Sequence, residues 1–281
     1  MLAGFLLALR EGIEAALIVG IVLGLLRKMN RTDRAPIVWL GVGAAALVSL
    51  LAAAVINLVG ARFEGAAEEA FEGVTMLLAA GVLTWMIFWM QKQGRQIQAG
   101  LEADVKHALA RGTGLGLFLV PFFAVVREGI ELALFLTAVN FSVQSDMANA
   151  ALMGWLGGLL GLLAAAVIGW LMFGAAIKLN LRRFFQLTSI VLLVFAAGLF
   201  AHGIHEFNEL GWLPPIVEHV YDINAFIPES STVGQFLQAL FGYNANPSLT
   251  EMIAYVAYLV IVWGLARWLA RKPVTKAVAT A

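Results

Sequence analysis

The sequence predicts an all-α integral membrane protein: seven transmembrane helices, arranged as two inverted three-helix repeats plus a seventh helix, with the N-terminus outside and the C-terminus in the cytoplasm. Three observations carry this prediction. The 281-residue chain is 61% hydrophobic and only 13% charged, with a mean hydropathy of +0.87, well beyond the composition of a soluble domain. Seven apolar runs have the length a helix needs to cross the hydrocarbon core, and the connections between them alternate between strongly basic and almost free of basic residues.

The first run covers residues 2–26. It lacks a basic leading segment and is interrupted by Arg10, Glu11 and Glu14, so it reads as a retained helix and not as a cleaved signal. The second covers 36–60. The third, 71–90, is entered through Glu64, Glu68, Glu69 and Glu72. The fourth covers 115–139 and contains Pro121, which removes a hydrogen bond from the helix ladder and predicts a kink or hinge near its inner end. The fifth covers 150–177. The sixth, 184–205, ends in a stretch rich in histidine and glutamate, and the seventh covers 249–270.

Orientation follows from the basic residues. Arg27, Lys28, Arg31 and Arg34 follow the first run, Lys92, Arg95, Lys106 and Arg111 the third, and Lys178, Arg182 and Arg183 the fifth; Arg267, Arg271, Lys272 and Lys276 close the chain. The other connections, 61–70, 140–149 and 206–248, hold Arg62 alone. Basic loops stay in the cytoplasm, so the 206–248 loop is external. Its prolines at 214, 215, 228 and 247 predict an ordered lid or docking surface.

Internal echoes divide the chain. Arg10-Glu11-Gly12-Ile13-Glu14 returns as Arg127-Glu128-Gly129-Ile130-Glu131, Trp39-Leu40-Gly41 as Trp155-Leu156-Gly157, and Leu50 through Ile56 as Leu162 through Ile168. Three echoes in the same order predict a duplication, repeat one over about 1–95 and repeat two over about 112–206. A unit of three spans is odd, so its second copy is inserted upside down. Such inverted repeats characterise secondary transporters, whose ligand site lies near the midplane between the repeats.

The two charged words place four carboxylates and two guanidiniums inside apolar spans. Each costs about 2.5–3.5 kcal/mol at a helix centre, roughly 15–21 kcal/mol for six before any pairing. At 100° per residue the arginine and both glutamates of each word share one helix face. An ion pair that merely fastens helices uses one glutamate per arginine, and each word has a second glutamate left over. The glycines Gly12 and Gly129 leave room for another helix or a partly hydrated ion to approach. Facing words would carry a formal charge of −2, which a cation completes. Carboxylates select hard ions such as Mg, Ca, Mn and ferric iron over Cu(I).

These paired words, in the first and fourth of seven spans, resemble the oxidase-dependent iron transporter family. Ala201 through Glu209 (Ala-His-Gly-Ile-His-Glu-Phe-Asn-Glu), Leu213-Pro214 and Phe241-Gly242-Tyr243-Asn244 are similar to its bacterial Efe-type branch, which is related to the fungal high-affinity iron permease. The resemblance spans nearly the whole chain and implies a single transmembrane permease domain, 1–281, importing Fe(II) or Fe(III) across a bacterial inner membrane. It assigns Glu11, Glu14, Glu128 and Glu131 to iron, with Arg10 and Arg127 in support. Iron is then the substrate, no cofactor is held permanently, and periplasmic or extracellular iron-handling or oxidase proteins are the implied partners beside membrane lipid.

Further acidic and histidine residues are candidate iron contacts. Glu68 and Glu72, with Glu64 and Glu69, form an acidic stripe, if helical, that would concentrate cations at the outer surface, and Glu72 lies within the apolar run. His202, His205, Glu206 and Glu209 share a flank at the outer end of the sixth span, where imidazole and carboxylate would receive iron. A carrier of Mn, Pb or a proton-coupled cation would use the same carboxylates. A membrane-embedded metal hydrolase fits less well, because His-x-x-His-Glu is not a zinc-protease word. A formal net charge of zero gives no sign of nucleic-acid binding, no P-loop word occurs, and the absence of cysteine excludes disulfides, thiolate metal sites and cysteine catalysis.

Overall fold

A computed structural model describes residues 1–93, 100, 103, 105, 107, 114–142, 150–174, 181–229 and 231–271. Arg95, Lys106, Arg111, Asn149, Lys178, Lys272 and Lys276 lie outside the described residues. Among those described, the chain forms α-helices and no strand: α1 (Leu2–Lys28), α2 (Ala35–Gly60), α3 (Ala66–Gln93), α4 (Gly114–Ser142), α5 (Ala150–Gly174), α6 (Leu181–Glu209), α7 (Thr232–Phe241) and α8 (Leu249–Arg271). Seven of them coincide with the apolar runs. The helices α2, α3, α5, α6 and α8 are both long and apolar enough to cross a membrane. At 27 and 29 residues, α1 and α4 have the length, and the charged words are what break their apolar windows.

The helix ends follow local chemistry. Arg27 and Lys28 sit in the last turn of α1, where the macrodipole favours cations. The next turn puts Asn30 at φ 55°, the left-handed region that asparagine tolerates. Pro36 opens α2 at a position where its missing N–H costs nothing. Gly65, at φ 58°, separates Glu64 from the start of α3, so the acidic stripe begins at Glu68 and Glu64 is not part of it. Pro121 produces no helix break: α4 runs unbroken through it, and the ring is buried beside Gly41 of α2. Packing against a neighbouring helix holds the ladder there.

Packing pairs α1 chiefly with α5, α2 with α4, and α3 with α6, while α1 also lies against α4 and α8 covers α6. The main core joins Leu7 of α1, Met76, Leu83 and Met86 of α3, Phe135 of α4, Leu199 of α6 and Tyr258 of α8. A smaller one joins Val22 and Leu26 of α1, Val38 of α2 and Leu117 of α4. Outward faces remain apolar: Leu50 and Leu58 of α2, Trp170 of α5, Leu187 and Ile190 of α6 and Val260 of α8 are all exposed. So extensive an apolar exterior suits a lipid solvent, not water.

The connection between α6 and α8 is structured, in line with the proline-rich sequence. It contains α7, capped by Ser231, whose hydroxyl accepts from the Gly234 N–H. At the other end Gly242 has φ 66° and its backbone abuts Gly198 of α6. Both the left-handed backbone and that close approach require glycine.

Candidate metal-translocation site

The first word lies in α1 with Arg10 and Glu11 almost wholly buried, at 0% and 1% exposure. Arg10 holds both glutamates of its word: Nη1 lies 2.8 Å from Glu11 Oε1 and Nη2 3.0 Å from Glu14 Oε1. The shared face predicted by helical geometry is therefore present. In α4 the second word is built differently. Arg127 Nε pairs with Glu131 Oε1 at 2.8 Å, and its guanidinium lies over Trp89 and Trp85, 4.5 and 5.2 Å from the ring centroids.

The two words meet where α1 crosses α4. Glu11, Glu128 and Glu131 each present a carboxylate oxygen, all within 4.8 Å of one another, and all three residues are buried. Glu14 stands outside this set, beside Arg10. One oxygen of each of the four glutamates, Glu11 Oε2, Glu14 Oε1, Glu128 Oε2 and Glu131 Oε2, is buried without a hydrogen-bond donor; Glu14 Oε1 is near Arg10 but off the hydrogen-bonding line. A buried acceptor with no donor costs about 1–3 kcal/mol. Three such carboxylates drawn together are a hard-oxygen ligand set for a metal ion, which would supply the missing positive charge.

The glycines of the words serve helix approach. A Cβ on Gly12 would collide with Ala165 and Leu162 of α5, and one on Gly129 with the Ser49 side chain of α2. Each word's helix is thus pressed against the middle helix of the other half of the chain. Gly41 likewise faces the Phe118 carbonyl of α4, and Gly157 the Met1 carbonyl at the start of α1. The Trp-Leu-Gly echo therefore marks two matching contacts.

His202, His205, Glu206 and Glu209 share one flank near the C-terminal end of α6, as expected, but they meet different neighbours. His202 is buried with Nδ1 3.1 Å from the Gly198 carbonyl oxygen. His205 bridges two acids, with Nε2 3.3 Å from Glu209 Oε1 and Nδ1 3.4 Å from Glu251 Oε2. Glu206 is buried against Gly73 of α3, where α3 and α6 touch through Gly73 and Gly203. Among the described residues these side chains form no three-ligand group; that arrangement occurs only at Glu11, Glu128 and Glu131. Glu68 is exposed and Glu72 half-buried.

Sequence reasoning passed over Glu251, a buried acid in α8 that accepts from Asn244 Nδ2 at 2.9 and 3.2 Å. It also passed over Met86 and Met90, which contact Arg10, and the two tryptophans under Arg127. Glu251 lies inside the seventh apolar run, and a lone acid there is itself a signal. The methionines and tryptophans carry none, because such residues fill any membrane helix.

Comparison with known sequences identifies the family. The model of the iron permease FTR1 family matches residues 1–270. The chain belongs to that family. Among relatives of this permease, the ferrous iron permease EfeU of Escherichia coli O6:K15:H31 is 38% identical over 264 residues, 92% of this chain and 93% of the relative. That of Yersinia pestis is 36% identical over 262 residues, 92% and 91% respectively. A relative in Escherichia coli K12, at 38% identity, is named a putative inactive ferrous iron permease EfeU. No solved structure matches the chain.

Proposed function

We propose that this permease imports ferrous iron across a bacterial inner membrane through the facing words of α1 and α4, with Glu11, Glu128 and Glu131 as the central ligands and Glu14 as an adjoining carboxylate. The observation that carries the proposal is the buried set of three carboxylates from two helices, within 4.8 Å of one another and each with an oxygen left unpaired. Charge supports the ferrous ion. Four glutamates and two arginines sum to −2, which a divalent ion neutralises, whereas a trivalent ion leaves a net charge inside the membrane. The names of the relatives point the same way.

Alternating access between two inverted repeats is the transport mode this reading favours. Exchanging α1 with α4, α2 with α5 and α3 with α6 turns the α1–α5 pairing into the α4–α2 pairing. The same exchange carries the Gly41–Phe118 contact into Gly157–Met1, and Gly129–Ser49 into Gly12–Ala165. On this reading all seven long helices span the membrane, with the loop between α6 and α8 outside, where a periplasmic or extracellular iron-handling protein would deliver its ion.

Uptake of radioactive iron into proteoliposomes tests the proposal, with ferrous iron under reductant and ferric iron as a chelate, each with and without an imposed proton gradient. Saturable ferrous uptake, competed weakly by Mn, is the expected result. Uptake of Mn or ferric iron in preference to ferrous iron would overturn the assignment of substrate.

A further inference from the structure

Both motif arginines, one from each repeat, are seated on the same short segment of α3. Arg10 Nη1 donates to Met86 Sδ at 3.0 Å and Nη2 to Met90 Sδ at 2.8 Å. Arg127 lies over the rings of Trp85 and Trp89. Met86 and Met90 are one helical turn apart, as are Trp85 and Trp89, and the two pairs differ by one residue. Two parallel stripes on one helix, about 100° apart, therefore receive the two guanidiniums. One is made of thioether sulfurs, which accept weakly, and the other of indole faces, which attract cations through the ring quadrupole.

Each arginine consequently has two kinds of partner at once. Its anionic partners are the glutamates that iron would use: Glu11 and Glu14 for Arg10, Glu131 for Arg127. Its neutral partners on α3 bear no charge and have no comparable claim on a hard cation. A guanidinium displaced from its carboxylates inside a membrane needs somewhere to remain, since an unpartnered charge there is costly. Without a neutral seat it would cling to the carboxylates and compete with the incoming ion.

We propose that Trp85, Met86, Trp89 and Met90 are positioning residues that form a neutral seat for Arg10 and Arg127, holding the guanidiniums while iron takes the glutamates. The inference rests on the iron-permease reading of the two words. It adds a division of labour to it: both arginines are counter-ions exchanged against the substrate, and the helix that makes the exchange possible belongs to repeat one alone. The site is thereby asymmetric although the words are duplicated.

The test replaces the seat, preserving side-chain volume at the two methionines. Met86→Leu with Met90→Leu keeps the packing and removes the sulfur acceptors. Trp85→Leu with Trp89→Leu removes the ring faces, whereas Trp85→Phe with Trp89→Phe retains smaller ones. In proteoliposomes the two Leu pairs should raise the half-saturation concentration for ferrous iron about three- to tenfold, between the exposed and the desolvated limits of such weak contacts to a cation, and leave the maximal rate near wild type. The Phe pair should lie closer to wild type. A merely structural role would lower inserted protein and maximal rate without moving half-saturation, and that outcome overturns the proposal, as does unchanged half-saturation in both Leu pairs. Met90→Leu alone, at a half-buried position, provides a milder variant if a pair fails to insert, and should shift half-saturation in the same direction.

Equilibrium dialysis of the detergent-purified proteins against radioactive ferrous iron gives a second readout. The Leu pairs should bind more weakly than wild type, and equal binding overturns the seat. Wild-type protein that binds ferrous iron but takes up none would count against the permease reading alone. Wild-type protein that does neither would overturn both.

Discussion

Glu11, Glu128 and Glu131 differ from Glu14 in a way the words themselves do not reveal. The first three converge, whereas Glu14 keeps to Arg10 at the edge of the set. Substitution by glutamine tests the difference, since it preserves shape and removes charge. Each of Glu11→Gln, Glu128→Gln and Glu131→Gln should reduce iron uptake at least about a hundredfold, the effect of losing roughly 3 kcal/mol of charge-assisted ligation. Glu14→Gln should lose less and retain measurable uptake. Proteoliposome transport, normalised to reconstituted protein, checks this ranking, and a Glu131→Gln variant transporting above half the wild-type rate would exclude a carboxylate pathway. Arginine also has more than a charge to contribute. The guanidinium of Arg10 spans Glu11 and Glu14 on one side and Met86 and Met90 on the other, a planar fork that an ammonium does not reproduce.

Between helices the decisive feature is close approach through small residues. In lipid, helix association relies on packing more than on the hydrophobic effect, and small residues let backbones come together. Gly12 and Gly129 do this at two of the places where a word's helix meets the other half of the chain. Gly129→Ala should destabilise the protein by about 1–3 kcal/mol through overpacking against Ser49. Ser49→Gly should recover much of that loss in the double variant, because it removes the side chain that collides. Thermal unfolding in detergent measures the cycle, and strictly additive effects of the two substitutions would show that the α2–α4 contact is not the cause. The unbroken course of α4 through Pro121 belongs to the same scale. A proline predicts a weakened ladder from sequence, but burial beside Gly41 supplies the packing that keeps the helix continuous.

For the molecule as a whole, the arrangement of basic residues predicts how the bundle sits in the membrane. Because the chain has no cysteine, single introduced cysteines report without background. A cysteine at Ser231, the cap of α7, should react with an impermeant maleimide added outside intact cells, and one at Thr32, between α1 and α2, should not. Labelling at Thr32 alone reverses the orientation. In the predicted orientation the acidic entry to α3 is external, and its exposed Glu68 would sit in water, where its influence on cations would be screened by salt. The outer histidines belong to a different structure. His205, Glu209, Glu251 and Asn244 tie the loop between α6 and α8 to those two helices, so their first effect is to hold that loop in place.

Sequence alone determined the helices, their extent and the candidate residues of the site. Hydropathy in a membrane protein has to satisfy a fixed length, so the seven apolar runs match α1 to α6 and α8 to within a few residues at each end. Charges inside those runs are so costly that their mere presence marked Arg10, Glu11, Glu14, Arg127, Glu128 and Glu131. What only the tertiary structure decided is which side chains share a point in space. That three glutamates converge and the fourth does not, that Glu251 reaches His205 from α8, and that one short segment of α3 receives both arginines are consequences of helix crossing and rotation. Those depend on long-range packing, and methionine, tryptophan and glycine in an apolar helix look the same in sequence whether they face lipid, a neighbouring backbone or a guanidinium.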